Sequence, residues 1–277
     1  MSQSHELQLH ITKLEEIRSI LNSMKNLALI EVHKLGRYQP LQSQSVSNIE
    51  EAGSDFLRFH PQLASCDADA RSVYLLVGAE RGFCGDFNEQ IILYSKAQWP
   101  TEIISIGSRL NSKLAENDAE QSTVNAIAGA NVSEEIPSIV NVIIDCIAPA
   151  SIGLSHSGIR LTAIYHDCRS NQISQRQLIP PVFQQSAHSS RHTIPPVLNL
   201  QAEVFFSELI SHYLFAVLHE ILCLSLTAEN YRRLQHLEAA VKHLDDETVN
   251  LRQKSQIYRQ EEITEEIEVI LLNSENT

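Results

Sequence analysis

Apolar residues recur at alternating three- and four-residue spacing near both ends of the chain. Toward the C-terminus the run is Leu234, Leu237, Val241, Leu244, Thr248, Leu251, Ser255 and Tyr258, the seam of a left-handed coiled coil. Upstream, Leu214, Val217, Leu218, Ile221, Leu222 and Leu226 form a broader apolar face, wide enough to pack on a domain as well as on a partner helix. Near the N-terminus, Leu7, Ile11, Leu14, Ile17, Leu21, Met24, Ala28, Val32 and Leu35 repeat the coiled-coil spacing. The two ends are therefore expected to pair with each other.

Helix breakers fit this pattern. All nine Gly and all nine Pro fall between Gly36 and Pro196, so nothing in residues 1–35 or 197–277 interrupts a helix. A helix over residues 201–272 would be roughly 105 Å long, whereas a compact globule of this chain length has a radius of gyration of about 19 Å. Such a helix must project or break, and the heptads favour projection. The alternative is two or three ordinary helices with a polar turn near Asp245-Asp246-Glu247.

The middle of the chain has a different period. Val73–Val77, Glu102–Ile106 and Ile159–Ile164 are short β-branched strand candidates, with weaker ones at Thr123–Ile127 and Gln175–Ile179. Asn88–Gln98, Ser108–Glu116 and Ser133–Ile147 lie between them as helices. This alternation predicts an α/β domain with a mostly parallel sheet. The proline-containing segment 180–196 reads as the loop leading to the last helix, and Gln42–Ala70 as a frayed helix end plus a connection. The expected divisions are 1–60 and 197–277 for the coiled-coil helices and 70–185 for the α/β domain.

Composition narrows the function. Lys+Arg number 21 against 34 Asp+Glu, a net charge of −13, with no basic stripe of the kind nucleic acid requires. Five scattered cysteines (Cys66, Cys84, Cys146, Cys168, Cys223) without a C-x-x-C pair suggest neither a disulfide framework nor a structural zinc site. The N-terminus has no signal-peptide core, and no apolar run suggests a membrane span. The expectation is a cytoplasmic protein.

Candidate chemistry is sparse. Glu80-Arg81-Gly82-Phe83-Cys84-Gly85-Asp86-Phe87-Asn88 follows the first strand. Glycine at a strand-to-helix junction can open an anion site at a helix N-terminus. This G-x-x-G nevertheless lacks the third glycine of a dinucleotide fingerprint and the lysine of a P-loop. Arg81, Gly82, Cys84 and Gly85 are therefore read as a tight structural turn, with Cys84 the small residue that fills it. His188 and His192 have ligand-like spacing but no third ligand nearby. His212/His219 and His236/His243 share helix faces and read as surface or interface positions. Glu261, Glu262, Glu265, Glu266 and Glu268 read as a solvated face. No cofactor or metal is expected.

Three stretches carry a family resemblance. Ile20–Ala28 is similar to the I-T-K-A-M-x-x-V-A of the gamma subunits of F-type ATP synthases. Glu80–Asn88 is similar to their D-R-G-L-C-G-G-x-N, and Tyr258–Ile267 to their x-R-Q-x-x-I-T-x-E-I. Ile104–Ser108 also resembles the family's second strand and turn. The resemblance implies an antiparallel coiled coil of the two termini plus a central Rossmann-like α/β domain. It implies a non-catalytic rotor inside a ring of three alpha and three beta subunits, bound to an epsilon subunit and a membrane c-ring. Such a subunit would sit peripherally on the cytoplasmic side of a bacterial inner membrane.

By the same resemblance, Met24 and Lys25 would face a beta subunit, and Arg259, Gln260 and Thr264 would meet a beta-subunit loop. Two departures stand out: Asp86 replaces the second glycine of the turn motif, and Glu80 replaces its aspartate. The acidic end would also repel an acidic partner loop, so matched partners are expected. The competing readings are an autonomous coiled-coil scaffold with an α/β head, and a small α/β hydrolase or nucleotide binder. The latter needs polar groups converging at the strand C-termini.

Overall fold

A computed structural model describes residues 3–64, 70–96, 102–116, 123–151, 159–183, 195 and 197–275. Cys66, His188 and His192 lie outside the described residues. Helix α1 spans Gln3–Phe59 and is followed by a 3-10 turn at Pro61–Ala64. The central elements are β1 (Arg71–Val77), α2 (Phe87–Lys96), β2 (Glu102–Ile106), α3 (Ser108–Glu116), β3 (Thr123–Ile127), α4 (Ile136–Ser151), β4 (Ile159–Asp167) and β5 (Gln172–Ile179). Helix α5 then runs without a break from Ala202 to Glu275, so the reading with a turn near Asp245 does not hold. The chain divides into two compact units, Met1–Leu29 with Arg233–Thr277, and Ile30–Arg232.

In the second unit the sheet has the order β3-β2-β1-β4-β5. All pairings are parallel except β4 with β5, which is antiparallel and carries a register shift between Leu161 and Thr162. Both faces are covered, which is why the strands read as nearly continuous apolar runs. Val73, Leu75, Val77, Ile104, Ile106, Leu161 and Ala163 pack with α4 and with the Tyr213–Leu226 stretch of α5. Leu76, Ile103 and Ile164 point the other way, onto Phe87 and Ile91 of α2 and Leu110 and Leu114 of α3. The strand period of two divides the side chains between the two layers.

The most apolar window of α5 is long and apolar enough to cross a bilayer by composition alone, contrary to the expectation from sequence, but 67% of it is buried inside the protein. Its apolar packing against the sheet marks it as a core helix.

Within the first unit the two helical segments run antiparallel. Ser4 N–H donates to Glu262 Oε1 at 3.4 Å, Arg252 pairs with Glu15, and Arg18 pairs with Asp245. Ile11, Leu14, Ala28, Leu237, Val241 and Thr248 are buried. Two heptad positions depart from expectation: Ile17 is 46% exposed and Tyr258 37%.

Candidate functional site

Strand β1 ends at Val77, and its carboxyl end is where an open α/β sheet ordinarily binds a ligand. Here the chain's own groups fill that position. Gly78 N–H donates to the Ile106 carbonyl at 2.9 Å. A Cβ on Gly78 would come within 2.5 Å of Leu110 Cβ, so only glycine permits this approach of the turn to α3. Ala79 N–H donates to Asn88 Oδ1 at 2.8 Å, which ties the turn to the helix that follows it.

Glu80 supplies the feature that the sequence reading missed. Its Oε2 accepts the backbone N–H of Ser108 at 2.8 Å and that of Gly129 at 2.6 Å. Its Oε1 accepts the Ser108 hydroxyl at 2.7 Å. Ser108 is the first residue of α3, so the carboxylate occupies the place where a helix N-terminus would hold an anion. The glycine-bearing turn thus carries its own anion, and this argues against a nucleotide site there.

The turn is held from the other side by Glu229 of α5, which is 3% exposed. Its two carboxylate oxygens accept Glu80 N–H at 3.2 Å and Arg81 N–H at 3.1 Å. Arg81 Nε donates to Asn131 Oδ1 at 2.8 Å. Gly85 and Phe83 both take left-handed backbone angles, φ 61° and 64°. That conformation is ordinary for glycine and costs an aromatic residue of order 1 kcal/mol or more. The Phe83 side chain is 53% exposed. Cys84 is buried, its Sγ near the carbonyls of Arg81 and Gly82.

Beside the turn, at the end of β4, His166 stacks on Phe87 with ring centroids 3.8 Å apart, and its Nε2 lies 2.9 Å from the Phe87 carbonyl. Burial holds His166 below the usual imidazole range, and the Phe87 carbonyl pulls it partly back. Asp86 is held below the usual carboxylate range chiefly by a hydrogen bond from Gln90.

A second polar cluster joins β5, α1 and α5. Arg176 donates to Glu220 Oε2 at 2.9 Å and to Glu50 Oε1 at 2.7 Å, and Ser43 Oγ donates to Glu220 Oε1 at 2.6 Å. Glu220 is 4% exposed, and a buried carboxylate needs such partners. Burial next to this cluster pushes the Tyr213 phenol up to about 12. It also pushes the Cys223 thiol up to about 12, leaving Cys223 inert at neutral pH.

The residues carried over by resemblance lie on the first unit and are not brought together. Arg259, Gln260 and Thr264 are exposed on α5, with the Thr264 hydroxyl donating to the Gln260 carbonyl at 2.9 Å. Arg259 lies between the levels of the Arg252–Glu15 and Glu262–Ser4 contacts, near the start of α1. Met24 and Lys25 are half-buried and lie beyond the Arg18–Asp245 level. His219 faces Cys223 at 3.6 Å, and His243 faces Glu247 at 3.9 Å. Among the described residues no three His, Cys, Asp or Glu side chains form a metal-holding group.

A family model described as ATP synthase matches residues 3–273. No curated protein matches the sequence. Among solved structures, a chain of the rotor of the Euglena gracilis mitochondrial ATP synthase is similar at 13% identity and a TM-score of 0.64, covering 94% of this chain and 98% of that one. A chain in the OSCP/F1/c-ring structure of the same enzyme gives 14% identity, a TM-score of 0.68 and coverage of 98% and 93%. A chain of the Tetrahymena thermophila mitochondrial ATP synthase central stalk and c-ring gives 15% identity, a TM-score of 0.56 and coverage of 80% and 99%. At these identities the likeness establishes the fold.

Proposed function

The chain belongs to the ATP synthase family, and on that premise we propose that it is the gamma subunit, the central-stalk rotor that couples ion flow through the membrane sector to ATP synthesis or hydrolysis. The observation that carries this reading is the family match over residues 3–273, on a chain whose last helix is continuous from Ala202 to Glu275. Such a helix gives asymmetric contacts to subunits arranged around it. Each surrounding subunit is then biased by a different contact free energy, and turning the helix passes that bias from one to the next.

The chain would do no chemistry itself. Its partners would be a ring of three alpha and three beta subunits, an epsilon subunit and a c-ring. It would be held peripherally at the membrane that carries the complex, on the cytoplasmic face if the source is bacterial. Met24 and Lys25 would face a beta subunit, and Arg259, Gln260 and Thr264 a beta-subunit loop; the exposure of the last three supports this. The neighbouring Glu261, Glu265 and Glu268 are exposed as well, so that loop should not be acidic.

Co-expression with the alpha and beta subunits of the same organism tests the reading. A three-three-one complex whose ATPase activity depends on this chain is expected, and Arg259→Ala should lower that activity without preventing folding. Turnover by the isolated chain, or a fully active ring formed without it, would overturn the proposal.

A further inference from the structure

Two buried carboxylates on α5 have no part in the contacts proposed above. Glu220 and Glu229, 4% and 3% exposed, both lie in the Ile30–Arg232 unit. They are nine positions apart on one unbroken helix, which at 3.6 residues per turn is about two and a half turns and about 14 Å along the axis. Half a turn left over means that the two side chains leave the helix on opposite sides.

Each holds a different part of the α/β domain. Glu220 takes the Arg176 guanidinium of β5 and the Ser43 hydroxyl of α1. Glu229 takes two consecutive backbone N–H groups of the turn after β1. That turn is in turn fixed to α3 and to the end of β3 through the Glu80 carboxylate. A single grip lets a helix pivot. Two grips on opposite sides, separated along the axis, oppose rotation about it.

We propose that Glu220 and Glu229 form a torsional clamp that locks α5 to the sheet, so that rotation of the helix and rotation of the α/β domain are one motion. Apolar packing alone resists separation but is non-directional, so helices packed that way can slide or turn against their neighbours. The directional bonds of the two glutamates provide the resistance to twist. Both are positioning residues, and the inference rests on the rotor reading.

The test uses the whole complex, membrane sector included, in proteoliposomes, with ATP hydrolysis and the ATP-driven membrane potential measured on the same sample. Each single variant, Glu220→Ala or Glu229→Ala, removes every acceptor of one grip, leaves the other, and is expected to keep most of the potential generated per ATP hydrolysed. The double variant is expected to assemble and hydrolyse ATP while that ratio falls far more than the two single losses combined. The pair Arg176→Ala with Glu229→Ala weakens the first grip from its partner side, leaving Glu220 the Ser43 hydroxyl and Arg169 at 3.8 Å, and removes the second, so the ratio should fall below that of Glu229→Ala alone.

A ratio equal to wild type in either assembled double variant overturns the clamp. So does failure of both doubles to assemble when the singles do, because the glutamates then serve folding alone. If wild-type complexes neither require the chain nor build a potential with it, the rotor reading fails and the clamp with it. Wild-type coupling that both doubles retain removes the clamp only.

Discussion

Replacing Glu80 with alanine tests the claim that the turn carries its own anion. The change removes three hydrogen bonds at once, from Ser108 N–H, Gly129 N–H and the Ser108 hydroxyl. A donor left unsatisfied in the interior costs about 1–3 kcal/mol. Ser108 is exposed and can turn to water, whereas Gly129 is half-buried, so the expected loss is about 2–3 kcal/mol rather than the full sum. For a chain of this size that corresponds to a melting temperature lower by about 4–10 °C.

Glu80→Gln separates geometry from charge. Both backbone donors meet the same oxygen, Oε2. A glutamine carbonyl placed there keeps both bonds, while its amide can donate to the Ser108 hydroxyl. Its cost should stay below about 1 kcal/mol. Urea titration with an unchanged slope reads both variants. Glu80→Ala within about 0.5 kcal/mol of wild type, or Glu80→Gln as damaging as alanine, would refute the reasoning.

Four further outcomes are expected. Thr248 sits buried in the coiled-coil seam with a hydroxyl that finds no partner, so Thr248→Val should stabilise the protein by about 1 kcal/mol, read as a higher midpoint in urea. Leu237 is fully buried, and Leu237→Ala should cost about 2–5 kcal/mol by thermal unfolding. Burial holds the folded pKa of His166 below the usual 6.5. The unfolded chain therefore takes up the proton first, so stability should be flat above pH 6.5 and fall as the pH drops below it, with His166→Gln reducing that fall. Exposed Cys146 should react with an alkylating reagent before buried Cys84 and Cys223, and equal rates in native protein would contradict the burial described.

Much of the fold was legible because its two periods do not overlap. Heptad spacing marked the termini, and short β-branched runs marked all five strands, with β2 and β3 placed at their observed ends. Strands β4 and β5 run three residues longer than their polar ends suggested. Pairing with each other sustains those residues where propensity does not. Helix α1 continues to Phe59 through Pro40, although its sequence beyond Gln42 looked frayed. Val46 and Phe56 are buried there, so tertiary packing overrides local propensity.

The polar architecture was not legible. The partners of Glu80 lie 28 and 49 positions away, and those of Glu229 lie 149 and 148 away. A carboxylate within a helical period looks the same on paper whether it ends in solvent or at a backbone amide. Residues read by resemblance, such as Arg259 and Thr264, show no contact within the chain that distinguishes them; on the proposed reading they act through what they would touch outside it.

An unbroken α5 also constrains how this protein can vary through evolution. Deleting a single residue anywhere along it would swing every later side chain by about 100° and draw it back by about 1.5 Å, spoiling all distal contacts at once. Length changes should therefore accumulate in the loops joining the sheet to its helices, while the helix itself diverges by substitution alone.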